Sequence, residues 1–213
     1  MKFTRLLAVA ALLAVAAAHP AAARTGPTLS LQGLFSDGDC EAVPDILGDW
    51  TGNDYLLGGT WTLQKLGDRK YRLVEQAEES GNGIREAFDI CVAHLNGYLF
   101  FDATFQKLSP DGKEMLGDNE SPLWIPVHII GRLDVEKNAL HFRLLDADWL
   151  QEALKSGSVH LTTTRLDDEK DYLLVGPGKE LKEFAVKFAT NPWAFSFEES
   201  FERAPASGDG KKD

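Results

Sequence analysis

The chain has 213 residues, of which 22 are basic and 33 are acidic, and its formal net charge is −11. Phosphate groups repel a chain this acidic, which argues against nucleic acid as a partner. The charge fits simple solubility, or else affinity for a basic protein partner or a cationic ligand.

Residues 1–23 have the pattern of a bacterial signal peptide. Two basic residues precede an unbroken apolar run from Leu6 to Ala18, and the small residues at 21–23 suit a signal peptidase. We expect cleavage after Ala23 and a periplasmic or secreted protein. Charges interrupt every later apolar run, so we expect no transmembrane segment in the mature chain.

Residues 24–40 are rich in Gly, Ser and Thr and are interpreted as a lead-in segment to a single domain at 41–204. Residues 205–213 are predicted to be a disordered tail. The two cysteines are Cys40 and Cys91. An even count in an oxidising compartment favours a disulfide bond, with two free buried thiols as the alternative.

The pattern Gly-x-Trp occurs twice, at Gly48-Asp49-Trp50 and at Gly59-Thr60-Trp61. Trp61 lies inside a clearly alternating strand pattern, whereas Trp50 lies in the approach to it. If residues 46–52 form a short first strand, Trp50 is the first tryptophan of the sheet; if they form only a turn, Trp61 is.

Period-two alternation between residues 59 and 105 predicts two β-hairpins. In the first, a three-residue turn at 67–69 places Leu63 opposite Leu73, whereas a two-residue turn would place it opposite Arg72. The first register keeps more apolar residues on one face and is favoured.

The second hairpin turns at Asn96-Gly97. Its core face contains Phe88, Ile90, Val92, His94, Leu99, Phe101, Ala103 and Phe105. The other face is only half polar, so another element should cover it.

A third hairpin, at residues 124–146, is expected to turn at about 137–138. This register places Arg132 directly opposite Arg143 on the polar face. Facing like charges are destabilising unless something neutralises them. The candidates are a bound anion, if the pair lines a cavity, or neighbouring carboxylates: Asp89, Asp102 and Asp134.

Two helices are predicted late in the chain by apolar spacing. The first covers residues 146–157, with Asp146 or Asp148 as its N-cap. The second begins near residue 178 and ends before Asn191-Pro192. Two short strands lie between the helices, and the chain closes with a strand in which Trp193, Phe195, Phe197 and Phe201 alternate with small or charged residues.

The predicted fold is mainly β, an antiparallel meander closing into a barrel-like sheet with two short helices late in the chain. A Gly-x-Trp near the mature N-terminus followed by such a meander resembles the lipocalins. The resemblance implies a tryptophan that plugs the barrel floor, and Arg203 stacked on it. It favours Trp50 for this role, because Trp50 follows residues 44–47 as the family's tryptophan follows a helical turn. The chain departs from the family in having no Thr-Asp-Tyr motif and in having a helix between two late strands. It is also similar to uncharacterised exported bacterial proteins with lipocalin-like barrels.

The sequence carries no recognisable catalytic motif, and we expect neither enzymatic activity nor a cofactor. A histidine metal site is disfavoured, because the predicted register puts His128 and His141 roughly 20 Å apart at about 3.3 Å per residue.

The favoured function is an exported binding protein that holds a small apolar or amphipathic ligand in its barrel. The expected wall residues are Trp61, Phe88, Phe101, Phe105 and Phe197, with Arg132 and Arg143 as a polar anchor. The alternative is a protein-interaction or envelope module, similar to an inhibitor, whose acidic surface meets a basic partner. A continuous apolar cavity of at least about 300 Å³ would favour the carrier. An interior filled by its own aromatic side chains would favour the alternative.

The polar stretch 106–123 is expected to be a solvated loop or a lid over the barrel mouth.

Overall fold

The structure is a computed structural model and describes residues 27–52, 57–76, 85–109, 113, 126–166 and 172–205. Its strands are β1 (Leu29–Ser30), β2 (Gly48–Gly52), β3 (Gly59–Lys65), β4 (Lys70–Glu75), β5 (Arg85–Leu95), β6 (Tyr98–Leu108), β7 (His128–Val135), β8 (Ala139–Leu144), β9 (Thr163–Arg165), β10 (Tyr172–Leu174) and β11 (Phe197–Arg203). Two α-helices, α1 (Ala147–Lys155) and α2 (Gly178–Phe188), lie between β8 and β11 in the chain. Short 3-10 helices occupy Asp37–Asp39 and Pro44–Ile46.

Among the described residues, eight strands close into an antiparallel barrel in the order β2-β3-β4-β5-β6-β7-β8-β11. Neighbours along the chain pair from β2 to β8, and β11 completes the circle by pairing with β8 on one side and β2 on the other. Closure leaves these strands without a free edge. The predicted fold class, a mainly β antiparallel barrel with two late helices, is confirmed.

The registers of all three predicted hairpins are confirmed. Leu63 lies opposite Leu73, as the three-residue turn requires. Leu95 lies opposite Tyr98 across the Asn96-Gly97 turn. Arg132 lies opposite Arg143. Alternation of apolar and polar residues sets these registers, because a slip by one residue would turn each apolar face toward solvent.

The lead-in segment crosses the outer face of the barrel and is joined to it covalently. Cys40 forms a disulfide bond with Cys91 of β5, as predicted. Earlier in the chain, β1 pairs with the first two residues of β7, which β8 does not reach. β10 adds to β1 in parallel and β9 pairs with β10, so a small sheet extends from the barrel wall.

The two late helices cover part of the barrel's outer face. Asp146 caps α1, accepting a hydrogen bond from the backbone N–H of Trp149. Outward-facing Phe100 and Ile130 are fully buried in an outer core with apolar residues of both helices. This core is the covering element that the half-polar outer face of the second hairpin requires. No helix among the described residues is long and apolar enough to cross a membrane.

The last strand begins later than predicted. β11 starts at Phe197, whereas Trp193 lies in a turn and is 68% exposed. The Asn191 side chain accepts hydrogen bonds from the backbone N–H groups of Trp193 and Ala194, and this holds the turn. Phe195 packs in the outer core against Phe100, so the predicted alternation from residue 193 was wrong in its first half.

Candidate ligand-binding cavity

One end of the barrel is closed by Trp50. The 3-10 helix at Pro44–Ile46 leads into β2, where the Trp50 side chain is 0% exposed and its indole N–H donates to the Ile46 carbonyl at 2.9 Å. The Arg203 guanidinium lies 4.2 Å from the centre of the Trp50 ring. It also donates to the backbone carbonyls of Leu47 and Asp45. Trp50 is therefore the tryptophan of the first barrel strand, and Trp61 lies opposite it in β3.

Backbone conformation and packing explain why a glycine occupies position 48 of the first Gly-x-Trp. Gly48 has a φ of +128°, and a Cβ there would lie 2.9 Å from the Arg203 guanidinium. A larger residue would be strained in this conformation and would displace the arginine from the barrel floor. The motif and the C-terminal arginine thus depend on each other physically.

An apolar cavity lies in the barrel interior, away from the end closed by Trp50. Its volume is about 240 Å³. The described residues lining it are Pro27, Leu57, Leu73, Glu86, Phe88, Ile90, Phe101, Ala103, Ile129, Phe142, Leu144 and Glu199. Ile129 lies near the start of β7 and Leu144 ends β8, so the cavity lies away from the β7–β8 turn, which is on the Trp50 side. The volume is below the roughly 300 Å³ typical of pockets for drug-sized ligands, so only a smaller molecule fits.

The predicted wall residues lie in two positions relative to this cavity. Phe88 and Phe101 line it directly. Trp61 and Phe105 stand beside Phe88, with ring centres 6.1 and 5.4 Å from it. Phe197 packs against the same interior core. All five belong to the inner face of the barrel, and two of them reach the empty volume.

Two carboxylates among the lining residues were not expected from the sequence. Glu199 is central in β11, opposite Phe142, and is only 4% exposed. Glu86 lies near the start of β5 and is exposed, toward the mouth. The signal for Glu199 was present, since it falls between Phe197 and Phe201 in the series of β11 residues that point inward.

Arg132 and Arg143, the predicted polar anchor, lie on the outer face of the barrel and do not line the cavity. Asp134 lies between them, 3.0 Å from the Arg132 guanidinium and 2.6 Å from that of Arg143. Glu198 lies 2.6 Å from the Arg143 guanidinium. The facing arginines are therefore neutralised by carboxylates, one of which, Asp134, was among the predicted candidates.

The charge network makes stability depend on pH. Burial raises the pKa of the Asp134 carboxyl, but hydrogen bonds and charge from Arg132 and Arg143 outweigh this and hold it below its usual range. A carboxyl with a lowered folded pKa contributes stability above its unfolded pKa of about 4 and loses it as pH falls. We expect the free energy of unfolding to fall more steeply below about pH 5 in the wild type than in Asp134→Asn. Urea denaturation across a pH series measures both slopes.

Asp68→Asn provides the control for this pH series, because Asp68 lies in the exposed β3–β4 turn. That variant should keep the wild-type slope. Equal slopes for the wild type and Asp134→Asn would show that the arginine-bound carboxylate does not contribute to acid sensitivity.

Three histidines pair with carboxylates. His128 and His141 lie on the outer face of the barrel, whereas His94, which the sequence places on the core face of the second hairpin, is exposed beside the β5–β6 turn. The pairs are His128 with Asp102, His141 with Glu198, and His94 with Glu41, with N···O distances of 2.6, 2.9 and 2.6 Å. Two other carboxylates were predicted to neutralise the arginines, and both have different partners. Asp102 pairs with His128, and Asp89 pairs with Arg72. Within the described ranges, no group of three or more metal-ligating side chains is close enough to hold an ion.

No family model, curated protein or solved structure matches this chain. The structure itself is a closed eight-strand antiparallel barrel, which is consistent with the lipocalin resemblance of the sequence. The predicted lid at 106–123 lies mostly outside the described residues; its first three residues, 106–108, continue β6.

Proposed function

We propose that the protein is an exported binding protein, periplasmic or secreted, which holds a small apolar or amphipathic ligand in its barrel. The observation that carries this proposal is the apolar cavity between Phe88, Phe101 and Phe142. Removing apolar ligand surface from water there would contribute about 25 cal/mol per Å². The floor of Trp50 and Arg203 supports the likeness to lipocalins, and the disulfide bond supports an oxidising compartment.

Binding of a small neutral probe tests the proposal. We expect 2-phenylethanol to bind with one-to-one stoichiometry, measured by isothermal titration calorimetry. In Ala103→Phe the added ring would occupy the cavity, because Ala103 lines it, and binding should be lost. Ala139→Phe is the matched control, since Ala139 lies on the outer face of β8 and outside the cavity lining.

The outcomes separate a cavity effect from a folding effect. Both variants must unfold cooperatively in a thermal melt before their binding is compared. No binding by the wild type, or equal binding by Ala103→Phe and the wild type, would overturn the proposal.

The alternative function is an interaction module for a basic protein partner. The net charge of −11 favours it, and so does a cavity smaller than a typical carrier pocket. Native mass spectrometry of the protein purified from its own host distinguishes the two. A co-purifying small molecule supports the carrier, and a stoichiometric basic protein supports the alternative.

A further inference from the structure

The cavity ends inside the barrel, although the inward-facing side chains of the strands continue to the floor at Trp50. Along β5, Ile90 lines the cavity, whereas the next inward residue, Val92, is fully buried outside the lining. Along β7, Ile129 lines the cavity, and Leu133, nearer the floor, is buried outside it. A layer of side chains therefore separates the cavity from the packed interior beside the floor.

Two phenylalanine rings form the inner end of the cavity. Phe101 of β6 and Phe142 of β8 both line it, and their ring centres lie 5.1 Å apart in an edge-to-face arrangement. Toward the floor, the next inward residue of β8, Leu140, is fully buried outside the lining. Phe142 also packs edge-to-face against Phe201 of β11, with ring centres 5.6 Å apart. The two lining rings are thus packed against the interior beneath them.

Gly131 makes room for the Phe101 ring. It lies directly opposite Phe101 in the β6–β7 ladder. A Cβ on Gly131 would lie 2.7 Å from Cε1 of Phe101 and 2.3 Å from the carbonyl oxygen of Arg143. Because β7 has no side chain at this point, the Phe101 ring can lie over its backbone and meet Phe142 on the next strand. The position of the ring is therefore set by the strands around it.

The carboxylates of the lining do not select a ligand by charge. Glu199 already has an interaction partner within the protein, and Glu86 lies directly opposite Lys107 in the β5–β6 ladder. Apolar walls disfavour a charged ligand, because a charge that leaves water must be compensated. Size and shape are then the properties by which the cavity can discriminate between ligands.

The volume of the cavity sets the size of the ligand. A cavity of about 240 Å³ corresponds to roughly eight groups of the size of a water molecule, whose share of liquid volume is about 30 Å³. A dry apolar cavity of about 150 Å³ in another protein binds benzene. The larger volume here therefore suits a single ring with a short chain, or a short chain alone.

We propose that Phe101 is the inner stop of the cavity and that the cavity selects compact neutral ligands with an apolar body of about eight carbon atoms. The apolar body ends against the rings of Phe101 and Phe142, and the polar end points to the mouth. A longer body cannot go deeper, so its additional carbons remain in water. This assignment rests on the proposed function, since it names the size class of the ligand that the barrel holds.

A series of straight-chain primary alcohols, from 1-butanol to 1-decanol, measures the depth of the cavity. We expect the affinity of the wild type to rise about fourfold with each added carbon, the effect of burying one methylene, up to about eight carbons and then to level off. Titration calorimetry gives the affinities. Intermolecular NOEs from bound 1-octanol should reach the methyl groups of Ile90 and Leu144, which line the cavity, and not those of Val92 and Leu133.

Phe101→Leu removes the ring and keeps an apolar side chain. We expect the affinity of this variant to keep rising for about one to three further carbons, and NOEs to Val92 or Leu133 to appear. Phe100→Leu is the matched control, because Phe100 is the adjacent residue of the same strand and is fully buried in the outer core. That variant should keep the wild-type chain-length limit. Both variants must unfold cooperatively before their binding is compared.

The possible failures are distinguishable. If no alcohol binds the wild type, the proposed function fails, and the assignment of the inner stop fails with it. If the alcohols bind but the affinity rises steadily to 1-decanol, or if wild-type NOEs reach Val92 or Leu133, the inner stop is overturned and the proposed function stands. If Phe101→Leu keeps the wild-type limit, the role of Phe101 is overturned. The wild-type NOEs need no variant, so a folding defect in Phe101→Leu does not weaken the test.

Discussion

Replacing Trp50 by alanine is expected to lower the free energy of unfolding by about 3–5 kcal/mol, the usual cost of truncating a buried tryptophan. The Trp50 side chain is completely buried at the barrel floor, so its removal leaves a cavity that the closed sheet cannot collapse to fill. It also leaves the Ile46 carbonyl without its indole donor and Arg203 without its ring. Because domains of this size are stable by about 5–15 kcal/mol, the loss would be a large share of the total.

Urea denaturation followed by circular dichroism measures this change. Trp193→Ala is the matched control, since Trp193 is mostly exposed and its loss should change the free energy of unfolding by at most about 0.5 kcal/mol. A similar effect of the two substitutions would mean that Trp50 does not hold the barrel floor as the structure describes.

Removing the disulfide bond, with Cys40→Ala and Cys91→Ala together, is the second large effect expected. The two cysteines are 51 residues apart in the chain, and a crosslink of this span stabilises by about 4 kcal/mol through the unfolded state. The bond also fixes the lead-in segment to β5, next to the hydrogen bond from the Glu41 N–H to the Val92 carbonyl. We expect the double variant to unfold at a markedly lower urea concentration.

A reducing agent provides the control for the disulfide experiment. It should lower the unfolding midpoint of the wild type toward that of the double variant and leave the double variant unchanged. A double variant as stable as the oxidised wild type, within about 0.5 kcal/mol, would contradict the stabilising role of the bond.

The hairpins of the barrel could be predicted from the sequence because their determinants are local. The Asn96-Gly97 turn and the alternation on either side of it leave one register that buries an apolar face. The same local pattern already placed Arg132 and Arg143 on the polar face. A ligand anchor inside the barrel would require that polar face to point inward. The barrel closes with the apolar face inside, so the two arginines lie outside.

The choice between Trp50 and Trp61 needed more than a motif, because both follow a glycine at the same spacing. The turn at residues 44–47 favoured Trp50, and the structure confirms that Trp50 belongs to the first barrel strand. Arg203, which stacks on Trp50 at the barrel floor, lies more than 150 residues later in the chain. It entered the prediction only through the family resemblance.

The sequence alone therefore determined the antiparallel hairpins, the two late helices and the disulfide bond. Each of these depends on neighbouring residues, on a turn, or on a single pair of cysteines. Only the tertiary structure decided that β11 closes the circle between β8 and β2. It also decided that about 240 Å³ of the interior stays empty and that Glu199 faces it. The unfilled volume equals the volume that the eight strands enclose minus the volume of the side chains that all of them point inward. No single segment contains that information.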